Sequence, residues 1–405
     1  MKIQFKAIIL IFSVIFLTQQ IRSENIRFNN GFWFDGKSFQ AKTAYSINGV
    51  LSFKPQGKID STIDLQQSYL IPPFAEAHTH QFLDVMNYQE QIDEYLAKGV
   101  FYAKNLNSIP RFSVRVRQFI NLPQSLDITF ANGGLTATGG HPVQMFDGLA
   151  QSGQLPNVTA KEMPNEAYFI IDDEQDLTEK WQLIKNGKPD FIKTYLEHSE
   201  EYELRKTDAK YYGKRGLNPT LLPKIVQTAH RDNLRVSVHI TTAKDFHNAV
   251  RAGVDEISHL PLEHISEADA KLAAKKKIFV VTTTLSHRDT NGIQNLAEIH
   301  RSNLKLLAKS GVKIAFGTDN MPTTVVEEAE NIYRLQVFDN LTLLKIWTEN
   351  TPQTIFPNRK IGFLKEAYEA SFIALQGNPI ENFSNIRKIN FRYKQGQFIK
   401  TRSSK

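Results

Sequence analysis

Five side chains with metal-binding chemistry stand at the ends of short apolar runs. His78 and His80 follow Leu70-Ile71-Pro72-Pro73-Phe74. Residues two apart on an extended strand point to the same side, so both imidazoles can reach one ion. His239 closes Val236-Ser237-Val238, His259 closes Val254-Asp255-Glu256-Ile257-Ser258, and Asp319 closes Ile314-Ala315-Phe316-Gly317-Thr318. Each histidine taken singly is better read as a hydrogen-bonded residue at a strand end. Jointly they place nitrogen and oxygen donors at four separate strand ends, a set suited to divalent metal ions. The chain contains no cysteine, which removes disulfides, thiolate ligands and cysteine nucleophiles.

The elements that must carry these residues alternate short apolar strands with helical patterns, the rhythm of parallel β/α architecture. Eight strand candidates begin near Tyr69, Val100, Asp127, Phe191, Arg235, Asp255, Ile278 and Lys313, with amphipathic stretches such as Leu221 to Arg231 and Ser266 to Lys276 between them. The expected fold is α/β, a (β/α)₈ TIM barrel over residues 71–362, whose working residues gather at the C-terminal ends of the strands. One long insertion, residues 142–190, should cover or shape that end. Residues 24–70 and 363–405 show short alternating runs broken by turns such as Asn29-Asn30-Gly31, Asn48-Gly49 and Gly377-Asn378-Pro379. They are expected to pair into a small β-sandwich, followed by a basic tail. No internal repeat stands out, which argues against a solenoid or propeller.

In this arrangement the sequence resembles the amidohydrolase superfamily, in particular its imidazolonepropionase-like and prolidase-like branch. The resemblance covers nearly all of the chain after residue 23 and rests on the histidine and aspartate positions. It includes Ala252-Gly253-Val254-Asp255-Glu256-Ile257-Ser258-His259 and Gly317-Thr318-Asp319-Asn320. It implies a further ligand, Lys193 in Asp190-Phe191-Ile192-Lys193-Thr194, carboxylated on its side-chain nitrogen and bridging two divalent ions. A free ammonium could not bridge, having no lone pair to offer. The other reading of Lys193 is an ammonium paired with an acid such as Glu197. Under the resemblance His78, His80 and Asp319 hold one ion, His239 and His259 the other, and zinc is the default element. Asp319 is also the expected catalytic acid and base in hydrolysis of an amide-type C–N bond in a small peptide, N-acyl amino acid or cyclic amide. A one-ion deaminase or lactam hydrolase, a lactonase or phosphotriesterase, and a metal-free scaffold stay open as alternatives.

Thr138-Gly139-Gly140-His141 ends a glycine-rich segment that lacks the lysine and hydroxyl residue a phosphate-binding loop requires. In the branch named above a similar segment turns its histidine toward substrate, which makes His141 the expected substrate contact. The chain departs from the branch at His239-Ile240-Thr241, where prolidase-like members carry His-Ala-Tyr; Tyr195 and Tyr212 are the candidate substitutes. It departs again at Glu76, where the family usually has aspartate. No Gly-x-Ser-x-Gly elbow and no His-Glu-x-x-His helix occurs.

A basic start (Lys2, Lys6) precedes an apolar run from Ala7 to Leu17, the anatomy of a signal peptide over residues 1–23. The run is about half of the roughly 20 residues that span a membrane. The expectation is an exported, periplasmic or secreted protein without stable membrane insertion. Loss of Lys2, Lys6 and Arg22 lowers the formal charge from +7 to +4, too little to argue for nucleic acid. The basic residues Arg387, Lys388, Arg392, Lys394, Lys400, Arg402 and Lys405 read as a solvated tail. The expected partner is a small-molecule substrate, and a homo-oligomer is compatible with the sequence.

Overall fold

A computed structural model describes residues 24–400 apart from 83–86, 156–157, 287–294 and 322, so the signal-peptide reading, Arg402 and Lys405 lie outside the described residues. The chain opens with β1 (Ile26–Phe34), β2 (Phe39–Ile47), β3 (Val50–Ser52) and β4 (Ser61–Ile71). Next come β5 (Phe74–Thr79), β6 (Val100–Asn105) and β7 (Asp127–Phe130), which pair in parallel. A second parallel sheet follows: β8 (Gly134–Thr136), β9 (Tyr168–Ile170), β10 (Ile192–Tyr195), β11 (Val236–His239), β12 (Glu256–Ser258), β13 (Phe279–Val281) and β14 (Lys313–Ala315). Its order is β14-β13-β12-β11-β10-β8-β9. The last strands are β15 (Phe372–Leu375), β16 (Ile389–Lys394) and β17 (Gln397–Phe398).

Strands β5, β6 and β7 are buried at every residue, as parallel strands covered on both faces must be. Helices supply that cover, and several begin with a side-chain cap. Thr242 and Asp245 form a reciprocal capping box on the helix Ala243–Ala252, and Ser266 caps Glu267–Lys275. Each satisfies backbone donors that the first helical turn leaves over. The amphipathic stretches expected from sequence appear as the helices Leu222–Arg231 and Glu267–Lys275. Strand pairing leaves two parallel sheets rather than one closed ladder. Single backbone bonds link their margins: Ala77 N–H to Phe316 O (2.9 Å), Asp319 N–H to His78 O (2.9 Å) and Asp190 N–H to Phe130 O (2.8 Å).

The two ends of the chain do join. One seven-stranded sheet runs β17-β16-β15-β4-β1-β2-β3, with β15 antiparallel and β1 parallel to β4. It curls around an aromatic core in which Phe28 meets Phe372 and Tyr393 with ring centroids 5.1 Å apart, and Trp33 meets Phe372 at the same distance. Backbone bonds from Leu51 to Tyr368 and from Ala370 to Gly49 draw its β3 edge back toward β15.

Two expectations shift and a third gains detail. The first strand of the parallel sheets begins at Phe74, not near Tyr69, because Tyr69 to Ile71 completes β4 of the terminal sheet and Pro72-Pro73 breaks the chain between them. The insertion expected to cover or shape the strand ends holds the helices Val143–Gln151 and Glu174–Asn186 and the edge strand β9. The basic C-terminal stretch is only partly solvated: Arg387, Lys388 and Lys400 are exposed, but Lys394 is not. Lys394 is fully buried, donating to Asp127 (2.7 Å) and to Leu122 O (2.6 Å), and Arg387 pairs with Glu330.

Candidate metal centre

The residues singled out from sequence converge at the C-terminal ends of the strands. His78 lies on β5 with 1% of its surface exposed, and His80 follows one residue beyond the strand. His78 Nε2 and His80 Nε2 are 3.3 Å apart, and Asp319 Oδ1 stands 3.3 Å from the first and 3.0 Å from the second. His259 Nδ1 lies 3.7 Å from Asp319 Oδ2. Donor atoms of His78, His259 and Asp319 fall within 4.8 Å of one another. His239 closes β11 and packs edge-on to His259 with ring centroids 4.4 Å apart.

The backbone fixes this cluster. Glu76 Oε1 accepts from His78 N–H (3.0 Å) and Thr318 N–H (2.9 Å), stitching β5 to the segment after β14. Gly317 permits the approach, since a Cβ there would lie 2.6 Å from His78 Cβ. His259 (φ 77°), Thr283 (φ 100°) and Asp319 (φ 46°) all adopt left-handed backbone. Such residues cost on the order of 1–3 kcal/mol each and concentrate where function over-determines geometry. Thr283 Oγ1 is 2.7 Å from His259 Nδ1, and Thr283 is in turn held by Glu328, whose carboxylate accepts from the Thr283, Thr284 and Leu285 amides.

Charge follows burial. Desolvation brings the His78 imidazole down to about 4 and the His259 imidazole well below its usual value, so both are neutral bases near pH 7. Burial alone would raise Asp319, but the contacts with His78 and His80 overcome it and hold the carboxyl well below the ordinary range. Lys193, 1% exposed, is lowered to about 7 by burial. Its Nζ donates to Ser258 Oγ at 3.2 Å and not to Glu197, which instead bonds His239 Nε2 at 3.1 Å. Beyond Lys193, Ser258, Ser237, Glu256 and Lys104 continue a buried polar chain through the core.

His141 stacks on His239 (4.7 Å between centroids) and lies 5.2 Å from the Tyr195 ring. Burial and then the neighbouring His239 lower His141 to about 3. Of the two candidate tyrosines, Tyr195 is buried against this pair, its oxygen accepting from Asn107 at 2.6 Å, while Tyr212 is exposed and donates to Asp147.

A metal ion fits this donor set. Ligands about 2.05 Å from a tetrahedral ion lie about 3.3 Å from one another, and the three contacts among His78, His80 and Asp319 span 3.0 to 3.3 Å. Three partners escaped the sequence reading. Glu328 carried a usable signal, a glutamate among Val325, Val326, Ala329 and Ile332 on the buried face of its helix. Thr283 sits in a run of three threonines after β13. Glu76 was visible only as a departure from the family pattern.

The amidohydrolase family model matches residues 69–399, and the chain belongs to that family. The ochratoxinase of Aspergillus niger is 31% identical over 205 residues, 45% of this chain and 42% of that protein, so the match spans under half of the curated relative's length. The crystal structure of A. niger ochratoxinase superposes with a TM-score of 0.74 at 18% identity, covering 93% of this chain and 96% of that one. A prolidase bound to N-methylphosphonate-L-proline gives 0.72 at 18% identity over 93% and 100% of the two chains. Molinate hydrolase gives 0.72 at 15% identity over 94% and 95%. These likenesses establish a shared fold.

Proposed function

We propose that the chain is an exported, metal-dependent hydrolase that cleaves an amide-type C–N bond in a small peptide, N-acyl amino acid or cyclic amide. The mutual 3.0 to 3.3 Å spacing of His78, His80 and Asp319 carries the reading, because three ligand atoms so placed already describe one face of a coordination sphere. His239 and His259 would hold a second ion, with Lys193 carboxylated between the two, and zinc is the default element for such donors. Burial supports the role of Lys193, since an amine lowered to about 7 is about half neutral near pH 7 and able to react with CO₂. The three interstrand backbone bonds support closure of the two parallel sheets into a (β/α)₈ barrel over residues 71–362. Export as a periplasmic or secreted protein rests on Lys2, Lys6 and the apolar run Ala7 to Leu17. Among the described residues no helix is long and apolar enough to cross a membrane.

When bound, the ions lower the pKa of water to about 7 and polarise the scissile carbonyl. Asp319 takes the proton of the attacking water and delivers it to the leaving nitrogen, as a general base and then a general acid. Its low pKa in the free site matches a group that must be ionised when substrate arrives. Tyr195 stays protonated because burial raises it, and with its oxygen already accepting from Asn107 its O–H serves as a donor to substrate. His141, neutral at working pH, contacts substrate from beside His239. Among the proteins that share the fold, one is a prolidase and another a Xaa-Pro dipeptidase, which supports this bond type over an ester.

Metal analysis of purified protein, paired with a screen of dipeptides, N-acyl amino acids and lactones, tests the reading. Two ions per chain and amide turnover abolished by chelation are expected. A metal-free protein, or one that turns over lactones alone, would overturn it.

A further inference from the structure

We infer that Glu197 is a positioning residue for His239, selecting the ring nitrogen that faces the metal centre. The inference rests on the two-ion reading above. Glu197 Oε2 lies 3.1 Å from His239 Nε2, and Thr241 Oγ1 lies 3.4 Å from the same nitrogen. An ionised carboxylate only accepts, so Nε2 must carry the proton of this pair. In a neutral imidazole that protonation leaves the lone pair on Nδ1, and Nδ1 becomes the ligand atom.

The carboxylate is placed by construction. Glu197 directly follows the segment after β10 and precedes His198, whose backbone is left-handed (φ 52°). The amides of His198 and Ser199 donate to Asp245 at 3.0 and 2.8 Å, and the amides of Thr241 and Thr242 donate to the same buried carboxylate at 3.0 Å each. Asp245 thereby ties the loop that carries Glu197 to the loop that follows His239, so acid and imidazole keep their register. Gly216 closes over the other side, with space for no side chain: a Cβ there would lie 2.5 Å from Glu197 N. Glu197 keeps 14% side-chain exposure, and its second oxygen lies 3.8 Å from His198 Nε2. The competing role for such an acid is to bind a cationic group of the substrate.

Zinc titration of the metal-free full chain, with Glu197→Ala and Glu197→Gln beside the wild type, separates these roles, together with histidine ring ¹⁵N spectra of the metal-free proteins. Loss of an outer partner of this kind weakens metal binding about 10- to 100-fold. The expected result is that Glu197→Ala weakens the second zinc by that factor and leaves the first unchanged. Glu197→Gln, which retains an acceptor, recovers most of the affinity. The His239 signature changes from the Nε2–H form to a mixture in Glu197→Ala only. Wild-type affinity for both zincs in Glu197→Ala, or a raised KM with zinc binding and the ring signature unaltered, overturns the assignment. A wild type that takes up a single zinc overturns the two-ion reading instead, and the ring spectra, which need no metal, still decide the role of Glu197.

Discussion

On one side of the centre His78, His80 and Asp319 touch one another, locked by the Glu76 carboxylate, which accepts from the His78 and Thr318 amides, and by the backbone bond from Ala77 to Phe316. On the other side His239 and Lys193 touch other side chains, Glu197 and Ser258. The first group is set by sheet geometry, which moves little. The second is set by side-chain partners on loops and strands, each replaceable by substitution. One half of the site thus already has spacings that an ion would fit, and the other half is oriented by its neighbours.

Breaking the rigid half has the largest expected effect. Asp319→Asn should lower kcat by about 10³-fold, removing both a ligand and the proton shuttle, and should lower bound metal as measured by elemental analysis. A pH series on the metal-free chain probes the same half through stability. His78 stays unprotonated in the folded state until about pH 4, whereas the unfolded chain takes up that proton near 6.5. Stability present above pH 6.5 is therefore lost as pH falls toward 4, by about 3 kcal/mol from this residue, and changes no further below that. His259 acts in the same direction. His78→Asn should flatten the denaturant midpoint against pH.

In the oriented half, Lys193→Ala should remove the second ion and lower kcat by about 10²-fold while the first ion stays bound; unchanged metal content would show that Lys193 is no bridge. The smallest change is expected from Glu328→Gln, which keeps one acceptor oxygen but turns an amide NH2 toward at least one of the three backbone donors. It should cost about 1–3 kcal/mol in unfolding free energy and loosen Thr283 on His259, blurring the contrast between the halves.

Much of the site was legible because its logic is local. A ligand at a strand end follows an apolar run, and His78 with His80 obeys the two-residue period of an extended chain. Lys193 was reached only through the family resemblance, since a lysine after Phe191-Ile192 has no distinguishing local pattern. What stayed hidden depends on distant partners. Lys394 reads as one more positive charge in a basic stretch, and nothing nearby reveals that Asp127, 267 positions earlier, draws it into the interior. Glu197 reads from the sequence as a partner of Lys193; which acceptor the lysine takes is decided by side-chain direction, which spacing along the chain does not encode.

The central place of β4 in the terminal sheet has a consequence for biogenesis. One edge of β4 is satisfied early by β1, but its other edge waits for β15, and Asp127 waits for Lys394 and Arg359. A growing polypeptide therefore carries an open sheet margin for about 300 further residues and an uncompensated acid for about 230. Completion of this sheet is deferred until β15 and β16 have been made, and a chain stalled before them exposes a strand edge open to wrong pairing.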